Sequence, residues 1–185
     1  MTKFFYILNS IVKQKKSLMN KAIYNAYNTY MNNFSQTTKI VFSFIFIILV
    51  ATLGSVFVYL GMDWFSTLER PIEWVPNALI PIVWSVIYLT FAVVFYLWIK
   101  NSEVPIVVRN LALANGILNV LWCLVYFTFN QLLLGLVFII LNLIFAIILW
   151  NQIYKNNKTY AYFLSIYPIW LCIATCLNLA TWILN

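Results

Sequence analysis

An all-α integral membrane protein, a bundle of five transmembrane helices behind an N-terminal extension, is the fold class that three observations predict. Apolar residues make up 64% of the 185 residues, charged residues only 8%, and mean hydropathy is +0.91, values outside the range of soluble domains of this size. The apolar residues fall into five runs of about 20, the length needed to cross roughly 30 Å of hydrocarbon at about 1.5 Å per residue. Nearly all Lys and Arg lie in the extension or in the loops between those runs.

Residues 1–38 differ in composition from the rest, with Lys3, Lys13, Lys15, Lys16 and Lys21 set among Asn, Ser, Thr and Tyr. Apolar positions Phe4, Leu8, Ile11, Leu18, Ala22, Ala26 and Tyr30 recur near helical spacing. Both an amphipathic helix on an anionic membrane surface and a disordered Lys-rich tail fit this pattern. A cleaved signal peptide fits less well, because Asn9 and Ser10 interrupt the apolar run and no small-x-small site follows it.

Residues 39–185 form the membrane domain, with spans expected at about 40–60, 79–99, 105–129, 132–154 and 160–184. Short connections between spans two and five place successive helices as antiparallel neighbours. The connection 61–78 alone is long enough for a lid. In it and just beyond, Pro71, Pro76 and Pro81 fix their own φ and push the preceding residue toward extended backbone, which predicts an ordered, non-helical cover running into a helix.

Ten of the eleven basic residues lie on the N-terminal side: Lys3, Lys13, Lys15, Lys16, Lys21, Lys39, Lys100, Arg109, Lys155 and Lys158. Arg70 stands alone on the other side, beside Asp63, Glu69 and Glu73. The asymmetry predicts a cytoplasmic N-terminus with the lid outside, in a bacterial inner membrane or a mitochondrial or other organellar one. The net charge of +7 is therefore read as a topology and lipid-surface signal, with membrane lipid and not nucleic acid as the partner. Histidine is absent, and Cys123, Cys172 and Cys176 are odd in number and lie within apolar spans. No metal site, haem ligation or disulfide framework is expected, and no cofactor.

Amides and indoles in hydrocarbon need partners, so their register marks the face turned into the bundle. Trp84, Tyr88, Phe95 and Trp98 share a stripe in span two; Asn115, Asn119, Trp122 and Tyr126 in span three; Gln131, Gly135, Phe138 and Asn142 in span four; Tyr167, Trp170, Ala174, Asn178 and Thr181 in span five. Interfacial belts and interhelical polar contacts explain some of these, Tyr154, Tyr160, Tyr162 and Trp182 among them. Trp84, Trp122 and Trp170, each in register with an amide or phenol on its own helix, fit an aromatic cavity for a flat lipophilic ligand better.

Three separated motifs carry a resemblance to the TspO/MBR family, the translocator or tryptophan-rich sensory proteins. WFSTLERP (64–71) with PIVWSVIY (81–88) resembles the W-Y-x-x-L-x-K-P loop and P-x-x-W-x-x-L-Y helix start. NGILNVLWCLVYF (115–127) resembles Q-L-x-L-N-x-x-W-x-x-x-F-F, and YPIWLCIATCLN (167–178) resembles Y-L-x-W-x-x-F-x-T-x-L-N. The resemblance implies a five-helix bundle, usually a homodimer, whose cavity binds porphyrins, sterol-like lipids and synthetic aromatic ligands under the first loop. It points to Trp84, Tyr88, Asn119, Trp122, Trp170 and Ala174 as cavity residues, to which the stripes add Tyr126 and Asn178. Trp64, Leu68, Pro71, Trp74 and Pro76 are the expected lid residues. The chain departs from the family at Glu73, Val75 and Ala78, which replace the first Trp, first Pro and second Trp of W-x-P-P-x-W, and it lacks the steroid-recognition pattern, having Leu179 and Ile183 there.

Three functions compete on these residues. The first is a membrane receptor or carrier for a porphyrin-type or other planar lipophile, with a role in tetrapyrrole handling or stress sensing. The second is a photo-oxidative porphyrin-degrading enzyme using Trp84 and Trp170, although no His, intramembrane carboxylate or activated nucleophile supports catalysis. The third is a divergent paralogue acting as an interaction protein through its Lys-rich extension. Ala112 and Gly116 form a small-xxx-small pair of the kind that packs helices, including across dimers.

Overall fold

Among the described residues of the computed structural model, five helices are long and apolar enough to cross a membrane, which makes the protein multi-pass and all-α. The described residues are 12–19, 21–22, 35–71 and 74–185, and the chain divides into units Met1–Lys39 and Ile40–Asn185. In the first unit, residues 12–19 and 21–22 are helical and exposed. Phe4, Leu8, Ile11, Ala26 and Tyr30, which carry most of the amphipathic pattern expected there, lie outside the described residues.

Helix α1 covers Gln36–Leu60 and is followed by a short α2, Met62–Thr67, inside the first connection. That single turn of helix is a departure from the wholly non-helical cover expected; the prolines begin only at Pro71, and nothing in Met62–Thr67 opposes helical φ/ψ. Next come α3 (Leu79–Asn101), α4 (Ile106–Cys123) continued by a π-helical turn at Leu124–Thr128, and α5 (Leu132–Asn156). The fifth span is two helices, α6 (Lys158–Leu164) and α7 (Ile166–Leu184).

Local chemistry sets these boundaries. Pro81 sits in the first turn of α3 and Pro105 precedes α4, positions where a missing N–H costs no intrahelical bond. Asn157 caps α6, its Oδ1 accepting from the Tyr160 amide at 3.0 Å. Pro168 has no N–H to give the carbonyl of Leu164, which accounts for the break at Ser165 where the sequence pattern reads one continuous span. After the π turn, Asn130 takes φ 58°, a left-handed position that Asn tolerates, while the Gln131 amide bonds back to the Val125 carbonyl at 3.1 Å. A three-residue reversal, 129–131, thus joins the end of this span to α5.

Lipid tails are as apolar as leucine, so packing and polar contacts hold the helices to one another. Helix α5 lies between α4 and α7, and two buried clusters are stacked along the bundle. One, under the first connection, contains Ile87, Trp122, Tyr126, Ile139, Tyr167 and Leu171; the other contains Val94, Trp98, Val108, Leu149, Ile153 and Leu164. Of the five spans, α1 is the least enclosed, burying only Val50 and Gly54. Its Phe46 ring fills the space over Gly116, so the small residue there serves a contact within the chain. At its far end Thr128 Oγ1 donates to the Phe57 carbonyl at 3.0 Å, and Gly61 lies so close to the Phe127 carbonyl that no Cβ fits between them.

Candidate functional site

Helical register brings the aromatic stripes together at the end of the bundle beneath the first connection. The π turn inserts one residue into the helical repeat, and Val125, Tyr126 and Phe127 are consecutively buried. Tyr126 and Phe127 consequently reach the same cavity. Gly135 of α5 permits this, since a Cβ there would meet the Tyr126 ring.

Four rings form a ladder along this wall. Tyr88 to Trp84, Trp84 to Trp122 and Trp122 to Tyr126 are separated by 5.8, 6.2 and 5.9 Å between centroids, with interplanar angles of 27°, 29° and 29°. Such near-parallel, offset pairs are favourable aromatic arrangements. Two of the rings are also held at their polar edges. Trp122 Nε1 donates to Asn178 Oδ1 at 3.1 Å, and Asn178 Nδ2 donates to the Ala174 carbonyl at 2.9 Å. Tyr88 donates to Asn119 Oδ1 at 3.2 Å.

A second polar group lies deeper. The Tyr167 hydroxyl is 3.3 Å from Asn115 Oδ1 and 3.1 Å from Asn142 Oδ1, and Asn115 Nδ2 donates to the Leu111 carbonyl. One hydroxyl proton cannot serve both acceptors. With Asn115 as its acceptor, Asn142 turned about its amide donates Nδ2 to the Tyr167 oxygen, which also gives that otherwise unpartnered nitrogen a partner.

Between the ladder and the first connection lies a cavity of about 70 Å³. Its wall comprises Ile80 and Trp84 of α3, Trp122, Tyr126 and Phe127 of α4, and Trp170, Ala174, Leu177, Asn178 and Thr181 of α7; Phe65, Arg70, Pro71, Val75 and Asn77 line it from the connection. Sites for drug-sized ligands enclose about 300–1,000 Å³, so this arrangement is a contracted one.

Contacts between the roof and the wall account for the contraction. Phe65 lies 5.0 Å from the Phe127 ring and 6.1 Å from that of Tyr126, and Trp64 meets Tyr126 edge-on at 6.1 Å. Asn185 fastens the connection from the other side: its Oδ1 accepts from the Glu69 amide at 3.1 Å and its Nδ2 donates to the Glu69 carbonyl at 2.9 Å.

Of the residues singled out from sequence, Trp84, Trp122, Tyr126, Trp170, Ala174, Asn178 and Pro71 border this cavity. Tyr88, the end rung of the ladder, and Asn119 are paired with each other and are not among the lining residues. Trp64 touches the site through Tyr126, Leu68 is half-buried, and Trp74 and Pro76 are exposed. Phe65, Arg70 and Val75 belong to the roof without having been expected there. Arg70 carried a signal, being the lone base on its side of the membrane; Phe65 and Val75 carried none that separates them from neighbouring apolar residues.

Cavity polarity is one-sided. Asn178 and Asn119 have their carbonyls occupied, whereas the buried Trp170 Nε1 and Arg70 Nε have no hydrogen-bond partner. Among the described residues no group of three or more His, Cys, Asp or Glu is placed to hold a metal.

The sequence profile of the TspO/MBR family matches residues 15–183. The Tryptophan-rich protein TspO of Archaeoglobus fulgidus is 29% identical over 149 residues, covering 80% of this chain and 97% of that protein.

Proposed function

The chain belongs to the TspO/MBR family, and from that premise we propose that it is a membrane receptor or carrier taking a porphyrin-type or other planar lipophilic molecule into the cleft beneath the first connection. One observation carries this reading: the ladder Tyr88, Trp84, Trp122 and Tyr126, whose last three rings border a cavity. A flat ligand extends or enters such a stack, gaining aromatic contact as well as apolar burial. The cleft must widen to admit it, and the roof is the part that moves, since it is tied to the wall by ring contacts and the Asn185 clasp. The N-terminal side, with ten of the eleven basic residues, is assigned to the cytoplasm and the roof to the opposite face.

Titration of the purified protein in detergent with protoporphyrin IX, followed by tryptophan fluorescence, tests the reading. Saturable quenching in the micromolar range is expected. Trp84→Ala removes the central rung and should weaken binding by about tenfold, the equivalent of roughly 1.4 kcal/mol, an amount within reach of one lost aromatic contact. Absence of saturable quenching would overturn the proposal and favour an interaction role for the Lys-rich extension.

A further inference from the structure

We infer that the ligand of this cleft is an acid, a flat ring system bearing a carboxylate that Arg70 receives at the roof. The inference rests on the aromatic-cleft reading above and adds the chemical class and orientation of what enters it. Arg70 lines the cavity with its guanidinium carbon 4.2 Å from the centre of the Phe65 ring. Nη1 donates to Asn77 Oδ1 at 3.0 Å, while Nε is shielded from solvent and has no hydrogen-bond partner. A guanidinium has five N–H donors in a planar fork matched to carboxylate geometry, and one of them is engaged with a protein oxygen here.

The second unpartnered group of the lining is also a donor. Trp170 Nε1 is buried in the wall without an acceptor, although buried indole N–H groups usually find one. The side-chain carbonyl that faces this space from Asn178 already accepts from Trp122, and among the described residues no Asp or Glu lines the cavity. A cleft that presents the fixed positive charge of Arg70 and the spare donors Arg70 Nε and Trp170 Nε1 is complementary to an anionic, acceptor-rich ligand. The position of the charge sets orientation: Arg70 is in the roof and the ring ladder in the wall, so the acid group stays at the mouth as the ring system goes in. The Phe65 ring beneath the guanidinium holds it over the cavity by cation–π contact.

Comparison of protoporphyrin IX with its dimethyl ester, the same ring with its carboxylates masked, tests this on the full chain in a fixed detergent. The diacid should bind the wild type about tenfold or more tightly than the ester, the scale of a charge-assisted hydrogen bond. Arg70→Gln should bring the diacid down to the affinity of the ester, and Arg70→Lys should restore part of the difference. Equal binding of diacid and ester by the wild type would overturn the inference while leaving the aromatic cleft standing, and this arm needs no variant to fold. Equal weakening of both pigments by Arg70→Gln would overturn it as well, by giving Arg70 a merely structural role. Saturable binding of neither pigment would remove the cleft reading and this inference together.

Discussion

Trp122 owes its position to one residue on another helix. Its indole N–H is buried and donates to Asn178 Oδ1, and Asn178 is itself turned by its bond to the Ala174 carbonyl. Replacing Asn178 by Leu, close to it in size, leaves the indole nitrogen unpaired in a dry interior. A loss of about 1–3 kcal/mol is expected, read as a lower thermal midpoint in detergent. Porphyrin affinity should fall with it, because Trp122 is the rung between Trp84 and Tyr126. An unchanged midpoint would show that Trp122 is held by packing alone. The stripe Tyr167, Trp170, Ala174, Asn178 and Thr181 is legible in sequence because it repeats every three or four residues, and all five are buried. That Asn178 reaches Trp122, 56 residues away in the chain, is invisible to any local pattern.

At the scale of elements, the first connection is held closed by α7. Asn185 forms a reciprocal pair with the backbone of Glu69 and anchors itself through the Thr181 carbonyl at 2.8 Å. Asn185→Ala removes the clasp without touching the cavity lining. The Glu69 amide should then exchange with solvent faster, and porphyrin should associate faster if opening limits entry; hydrogen exchange and stopped-flow quenching measure the two. Unchanged exchange at Glu69 would mean that the Phe65 ring contacts close the roof by themselves. Prolines and polar residues make this connection recognisable as a lid. Its helical turn at Met62–Thr67 and its clasp are not, since the first depends on the turn after Gly61 fitting the Phe127 carbonyl and the second on a partner 116 residues distant.

At the scale of the molecule, Ile40–Asn185 forms its own unit and contains all five spans but for the first residues of α1. Every described residue lining the cleft lies within it. Removing residues 1–35 should therefore leave porphyrin affinity within about twofold of the full chain, a change of roughly 0.4 kcal/mol. A larger loss would give the Lys-rich extension a part in the site. The profile match beginning at residue 15 sets part of that extension within the family pattern as well.

The number of spans, their approximate limits and the faces turned inward were determined by the sequence alone. Each follows from local quantities: the length of an apolar run, the side on which Lys and Arg collect, and the 3.6-residue repeat of amides and rings. Tertiary structure decided what those faces make when they meet. It paired Tyr88 with Asn119 away from the cavity lining, used a π turn and Gly135 to bring Tyr126 and Phe127 to one cavity, and contracted that cavity to about 70 Å³. It also carried Arg70 from a lone loop charge to the roof of an aromatic cleft. The physical reason is distance along the chain: partners such as Trp122 and Asn178, 56 positions apart, or Glu69 and Asn185, 116 apart, meet through the tertiary fold, and no local pattern encodes their separation in space.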